Sequence, residues 1–163
     1  MLDGHALDPR VLRDTFGRFA TGVCVITLRD DHGNPTGVTV NSFASLSLDP
    51  ALCLFSLGRS QMSCRWMRDD CAFVVNILAA DQQDIAWAFA KPRENKFDGV
   101  ATQPAQRVDV PAILGAIGRL ECRLWNKYDG GDHELIVGRV LHVEQAEGAP
   151  LLFFRGKMAA LEA

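Results

Sequence analysis

Two stretches of period-two alternation constrain this chain more than any other feature. Across residues 119–125, Arg-Leu-Glu-Cys-Arg-Leu-Trp, polar and apolar side chains alternate; across 135–143 the odd positions Leu135, Val137, Leu141 and Val143 make one apolar face. Between them lies Asp129-Gly130-Gly131-Asp132, a turn signal, so the pattern predicts two long antiparallel strands joined as a hairpin. The rest of the chain punctuates in the same way. Residues 23–28 are apolar on both faces and rich in β-branched residues, stop at His32-Gly33-Asn34-Pro35, and predict a hairpin whose returning strand covers 36–41. Residues 51–57, 71–78 and 151–154 read as further buried strands.

Helical signals are few and short. Asp8-Pro9 offers an N-cap and a first-turn proline ahead of Val11, Leu12, Thr15, Phe16 and Phe19, which predicts a helix over about 9–18. Met62, Trp66 and Met67 have helical spacing within 60–69, and Asp81-Gln82-Gln83-Asp84 precedes an amphipathic stretch with Ile85, Ala88 and Phe89 that ends before Pro92. Six or more strands without βαβ alternation predict a mainly β fold with short helices, an antiparallel barrel with helical excursions, and exclude a Rossmann domain. At 163 residues, with no repeat, low-complexity stretch or linker, a single domain over 1–163 is expected.

Charge and cysteine usage narrow the class of partner. The 17 Lys plus Arg are scattered against 20 Asp plus Glu, net −3, so no basic footprint for a nucleic acid is present. No apolar run approaches the roughly 20 residues of a membrane helix, and no basic segment with an apolar core opens the chain; a cytoplasmic protein is expected, with no membrane partner. The five cysteines lack CxxC spacing and lie mostly in apolar runs, so they read as reduced, buried and structural.

Three segments are candidates for chemistry, each beside a plainer reading. Residues 37–47, Gly-Val-Thr-Val-Asn-Ser-Phe-Ala-Ser-Leu-Ser, concentrate hydroxyl and amide groups suited to the edge of a planar ligand, or to a polar turn at a barrel rim. Gly58-Arg59-Ser60-Gln61-Met62-Ser63 follows a strand and opens a helix, as an anion site does and as any serine-capped helix does; it is not a GxxxxGK[ST] loop. His133-Glu134 begins like HExxH, but position 137 is Val, and His142, at an odd offset along the same strand, faces the other way, so no metal site is expected. His133 then stands as a turn residue or as a ligand contact.

Six motifs in order carry a resemblance over nearly the whole chain: Phe19-Ala20-Thr21-Gly22-Val23; the 37–47 segment with Leu48-Asp49-Pro50; Phe73-Val74-Val75-Asn76-Ile77-Leu78; Lys96-Phe97-Asp98-Gly99; Gly131-Asp132-His133 with Gly138-Arg139-Val140; and 150–156, Pro-Leu-Leu-Phe-Phe-Arg-Gly. Together they resemble the flavin reductase-like family, the small NAD(P)H:flavin oxidoreductases of two-component monooxygenases. The resemblance implies a homodimeric split β-barrel of the FMN-binding type. It implies that FMN or FAD is reduced by NADH or NADPH and passed to a flavin-dependent monooxygenase component. Carried over by residue, it places the isoalloxazine against Gly37, Val38, Thr39, Asn41 and Ser42, and the ribityl and phosphate portion near Ser56, Leu57, Gly58, Ser63 and Cys64. Asn95 and Lys96 also fall at the flavin. His133, as the catalytic-site candidate, and Phe154 fall at the nicotinamide. Met158 stands where many relatives carry an aromatic residue. Because the two cofactors themselves exchange the hydride, the chain needs to stack rings and requires no triad or metal cluster. A flavin-retaining electron carrier, or a split-barrel binder without flavin, is the competing class. Pyridoxamine phosphate oxidase chemistry would need a cluster of Arg and Lys that is missing here.

Overall fold

A computed structural model of the chain describes residues 7–161. In chain order the elements are α1 (Pro9–Phe16), β1 (Thr21–Gly22), β2 (Cys24–Arg29), β3 (Pro35–Val40), β4 (Ala44–Leu48), β5 (Ala51–Gly58), α2 (Met62–Trp66), β6 (Ala72–Ile77) and α3 (Gln83–Ala90). They continue as β7 (Thr102–Pro104), β8 (Pro111–Ile113), β9 (Gly118–Gly130), β10 (His133–Gln145), β11 (Leu151–Phe154) and β12 (Lys157–Ala160). Seven strands form one antiparallel sheet in the order β3-β2-β6-β9-β10-β5-β4; β1-β11-β12 form a second sheet, and β7-β8 a short ribbon.

Strand β2 is apolar on both faces because each face meets a different core. Cys24, Ile26 and Leu28 point into the barrel interior with Phe55, Leu57, Phe73, Val75 and Ile136. Val25, with the preceding Val23, packs outward against Leu78, Ala86 and Phe89, beneath α3. Burial on two faces is what a continuous β-branched run encodes. Asn76 on β6 is fully buried and closes its own hydrogen-bonding needs. Its amide nitrogen donates to Val25 O (3.0 Å), and its carbonyl accepts from Ile113 N (2.8 Å), tying β2, β6 and β8 together. The sheet curls until its two ends meet beyond β3, where Ser56 N on β5 donates to Ser42 Oγ at 2.9 Å. The fold is a split antiparallel β-barrel with three short helices.

Several sequence expectations move. Helix α1 stops at Phe16 instead of running to about 18, because the next donors tighten from the i−4 to the i−3 carbonyl, Arg18 N donating to Thr15 O at 3.1 Å and Phe19 N to Phe16 O at 3.0 Å. None of its residues is buried, so the apolar spacing of Val11, Leu12 and Phe16 faces solvent. Strand β4 lies inside the segment read as a turn or ligand edge. On β10 the apolar face inferred from the odd positions is mostly the outer one. Ile136 and Gly138 are buried, whereas Leu135, Leu141 and Val143 are exposed. Register shifts between Val137 and Gly138 and between Val140 and His142 break the simple period. Gly138 is buried because the Phe73 ring packs across it; a Cβ there falls 2.4 Å from the ring. All five cysteines are free, and four are buried, but Cys71 is half-buried. No helix among the described residues is long and apolar enough to cross a membrane.

Candidate functional site

A cleft of about 920 Å³ opens between β3, the N-terminal end of α2, the C-terminal end of α3 and residues 91–96. Its volume lies within the range of small-molecule and cofactor sites. It gathers Gly37, Val38, Ser63, Asn95 and Lys96 from three places in the sequence. The cleft exists because α3 approaches β3 closely. A Cβ on Gly37 falls 2.8 Å from both Ile26 O and the Phe89 ring, so only glycine permits this contact. Thr39 Oγ1 donates to Ala86 O at 2.6 Å and fastens the same pair of elements.

Lys96 is the half-buried cation of a lining that also holds Lys91, Arg93, Asp30 and Glu94. Its ammonium donates to Phe89 O at 2.9 Å, and among the described residues no carboxylate pairs with it. Burial pushes its pKa below the ordinary lysine range. A half-buried cation with one carbonyl partner leaves donor capacity for an anionic oxygen in the cleft. Asn95 Oδ1 accepts from Phe97 N (3.0 Å) and shapes the turn that delivers Lys96.

The second group of expected residues lies along the β5 end. Ser42 and Ser56 are joined at the barrel seam, Leu57 is in the core, and Gly58 N donates to Gln61 Oε1 at 3.0 Å. Cys64 is buried, and its thiol donates to Glu134 Oε2 at 3.3 Å; desolvation, then Glu134, pushes its pKa up. Arg59, read from the sequence as added charge for an anion at a helix start, is committed elsewhere. Its backbone N donates to Asp132 O (3.0 Å), its Nε to Gly131 O (2.8 Å), and its guanidinium pairs with Asp129 (2.5 Å) and Glu134 (2.9 Å). One side chain therefore grips the whole tip of the β9–β10 hairpin. Lys127 also pairs with Glu134. The contacts of Arg59 span about seventy residues of sequence, so no local motif announces them.

His133 is carried on that tip, opposite Gly58 on β5. Its Nδ1 lies 2.7 Å from Asp132 Oδ1, and this hydrogen bond holds the Asp132 carboxyl below the usual carboxylate range. An ionised carboxylate accepts, so Nδ1 carries the hydrogen and Nε2 is directed away from Asp132. The half-exposed ring is a platform with a set orientation. Phe154 lies in the other sheet, on β11, at the turn into β12. Asn41 lies apart from Gly37 and Val38, on the wall of a separate cleft beside α1. The expected residues thus divide among the β3–α3 cleft, the β5–hairpin edge, and the α1–β11 side.

The flavin reductase-like domain model matches residues 16–162. The reductase component of a flavin-dependent trigonelline monooxygenase from Acinetobacter baylyi is 39% identical over 147 residues, covering 90% of this chain and 47% of that protein. A probable flavin reductase of Rhizobium meliloti is 38% identical over 95% of this chain and 50% of its own length. The chain spans about half the length of these two curated relatives. Nitrilotriacetate monooxygenase component B from Mycobacterium thermoresistibile superposes with a TM-score of 0.90 at 36% identity, over 96% of this chain and 88% of that one. With the barrel, the cleft and the Gly-Asp-His hairpin already in place, these likenesses mean that the chain belongs to the flavin reductase-like family.

Proposed function

We propose that this chain is an NAD(P)H:flavin oxidoreductase that reduces FMN or FAD and supplies the reduced flavin to a monooxygenase component in the cytoplasm. The observation that carries the reading is the β3–α3 cleft. Lys96 points a half-buried cation, without a carboxylate partner, into a space also walled by Gly37, Val38 and Ser63. This donor set suits an anionic, planar ligand edged with hydrogen-bonding groups. When bound, nicotinamide and flavin supply the chemistry themselves, a hydride passing from nicotinamide C4 to flavin N5. The chain's part is placement. Lys96 holds anionic oxygen, Gly37 and Val38 give a backbone edge beside the cleft, and the close packing of α3 excludes water from behind it. Asp132 fixes the His133 ring, and Arg59 fixes the hairpin that bears both.

A homodimer is part of the same reading. His133 and Phe154, both assigned to the nicotinamide, lie on different sheets of one protomer, and a second copy offers a way to bring one of each together. The named relatives support the activity. An FMN reductase (NADH) of Agrobacterium fabrum is 39% identical over 90% of this chain, and an NADH:FAD oxidoreductase of Streptomyces globisporus superposes with a TM-score of 0.88.

The test is nicotinamide oxidation with each of the four pairings of FMN or FAD with NADH or NADPH, followed by transfer of reduced flavin to an oxygenase. Turnover with at least one pairing is expected. Flavin that stays bound while nicotinamide is not oxidised under any pairing would instead make the chain an electron carrier.

A further inference from the structure

One short helix serves both halves of the candidate site. Gln61, Met62, Ser63 and Trp66, at the start of α2 and along it, wall the β3–α3 cleft assigned to the flavin. The next side chain round the helix, Cys64, turns toward the β9–β10 hairpin. Its thiol donates to Glu134 Oε2 at 3.3 Å, and its carbonyl accepts from Lys127 Nζ at 3.5 Å. Glu134 directly follows His133, the residue assigned to the nicotinamide. Ser63 and Cys64 are both buried, so a displacement on the cleft side of α2 is felt on its hairpin side.

Little within α2 fixes its position. It has five residues, too few for a stable helix alone, and no side chain caps its first turn. The Gln61 side chain, at the cap position, instead accepts from Gly58 N at 3.0 Å, and Gly58 is the β5 partner of His133. The helix is therefore held by what flanks it, and on the hairpin side that is Glu134. This carboxylate touches three elements. Besides Cys64 on α2 it pairs with Lys127 on β9 and with Arg59, at 2.9 Å, from the β5–α2 turn. Arg59 goes on to donate to Gly131 O and Asp132 O, the residues that lead into the His133 ring. With its side chain only 20% exposed and three donors upon it, Glu134 joins helix and hairpin in one network.

We propose that Glu134 is a positioning residue that couples the two cofactor sites. Flavin in the cleft fixes α2, and Glu134 passes that order to the hairpin tip, so the His133 platform is set for nicotinamide when flavin is present. The identity of the two ligands rests on the oxidoreductase reading; the link between their sites rests on the contacts of Glu134. Coupling is reciprocal, so nicotinamide tightens flavin by the same factor.

The test reads the tip itself. Amide exchange over residues 130–134 is compared with and without saturating FMN or FAD, in wild type and in Glu134→Gln, which keeps the size of the side chain and removes its charge. Wild-type exchange at the tip is expected to slow about fivefold or more on flavin binding, and Glu134→Gln to lose that response while still binding flavin. The dissociation constant of NAD+ is expected to show the same contrast, about fivefold lower with flavin bound in wild type and unchanged by flavin in the variant. A merely structural carboxylate would shift the melting temperature and leave both ratios as in wild type. Should Glu134→Gln fail to fold, Cys64→Ala, which cuts the link to α2 and leaves Arg59 and Lys127 on Glu134, is read at saturating flavin in the same way. Flavin that binds without slowing exchange at the tip, or slows it equally in wild type and variant, overturns the coupling. So does NAD+ that binds wild type equally well with and without flavin. A tip that responds to flavin while NADH and NADPH are oxidised under no pairing overturns the oxidoreductase reading and leaves the link standing; absence of flavin binding overturns both.

Discussion

Ser42 and Asn41 are neighbours in sequence with different work in the fold. Ser42 Oγ accepts from Ser56 N at the seam of the barrel, whereas the Asn41 side chain is exposed at the α1 cleft. Ser42→Ala leaves a half-buried backbone donor without its partner and is expected to cost about 1–2 kcal/mol, read as a lower urea midpoint at unchanged slope. Asn41→Ala is expected to leave that midpoint in place. Lys96 gives a second outcome. Burial lowers its pKa, so folding favours the neutral amine; the charged form costs stability, and that cost is relieved as pH rises through the lowered pKa. Binding runs the other way, because an anionic ligand needs the ammonium. Flavin affinity is therefore expected to fall as pH rises from about 7 toward the ordinary lysine range of about 10. In Lys96→Gln, fluorescence titration should give affinity about tenfold weaker at neutral pH and flat across that interval. A wild-type affinity independent of pH would separate Lys96 from the ligand.

At the scale of elements, the β9–β10 hairpin matters through its tip. Arg59 makes one backbone and three side-chain contacts to residues 129–134, and Asp129 and Glu134 answer with carboxylates held below their usual range. Arg59 lowers Asp129, and Lys127 with the Cys64 thiol lowers Glu134. Carboxyl groups with depressed folded pKa values contribute stability above their unfolded pKa, and that contribution is lost as pH falls through the folded values. The clamp is thus intact at neutral pH and opens below about pH 4. Arg59→Ala is expected to speed amide exchange over residues 130–134 at neutral pH. It should also raise the KM for the nicotinamide while leaving the flavin dissociation constant unchanged, and Arg59→Lys, which keeps charge without the fork, should fall between. Unaltered exchange in Arg59→Ala would mean that the ribbon's backbone pairing alone sets the tip.

For the whole molecule, the exposed apolar surface decides the expected assembly. Trp125, Tyr128, Leu135, Leu141 and Val143 are all exposed along the β9–β10 ribbon. A run of large apolar groups on one ribbon is a subunit interface in waiting. Sedimentation is expected to give twice the 17.9 kDa chain mass, and Leu141→Asp with Val143→Asp to give the single-chain mass with loss of flavin turnover. A wild-type species of single-chain mass at micromolar concentration would remove the dimer from the proposal.

The sequence by itself determined the class of fold, because strand periodicity, turn dipeptides and the two-faced run 23–28 are local consequences of side-chain burial. Its motifs also marked Gly37 and Lys96 at the cleft and His133 on the hairpin tip. The tertiary structure alone decided how those residues are shared out. Packing against the barrel interior put Ile136 inward and Leu135, Leu141 and Val143 outward on β10, and a strand, β4, lay hidden where hydroxyl-rich residues resemble a turn. Arg59 found its carboxylates some seventy residues away. Local patterns report which face of an element is apolar; only the closed chain settles which distant element lies against it, and therefore which charges are paired and which remain free for a ligand.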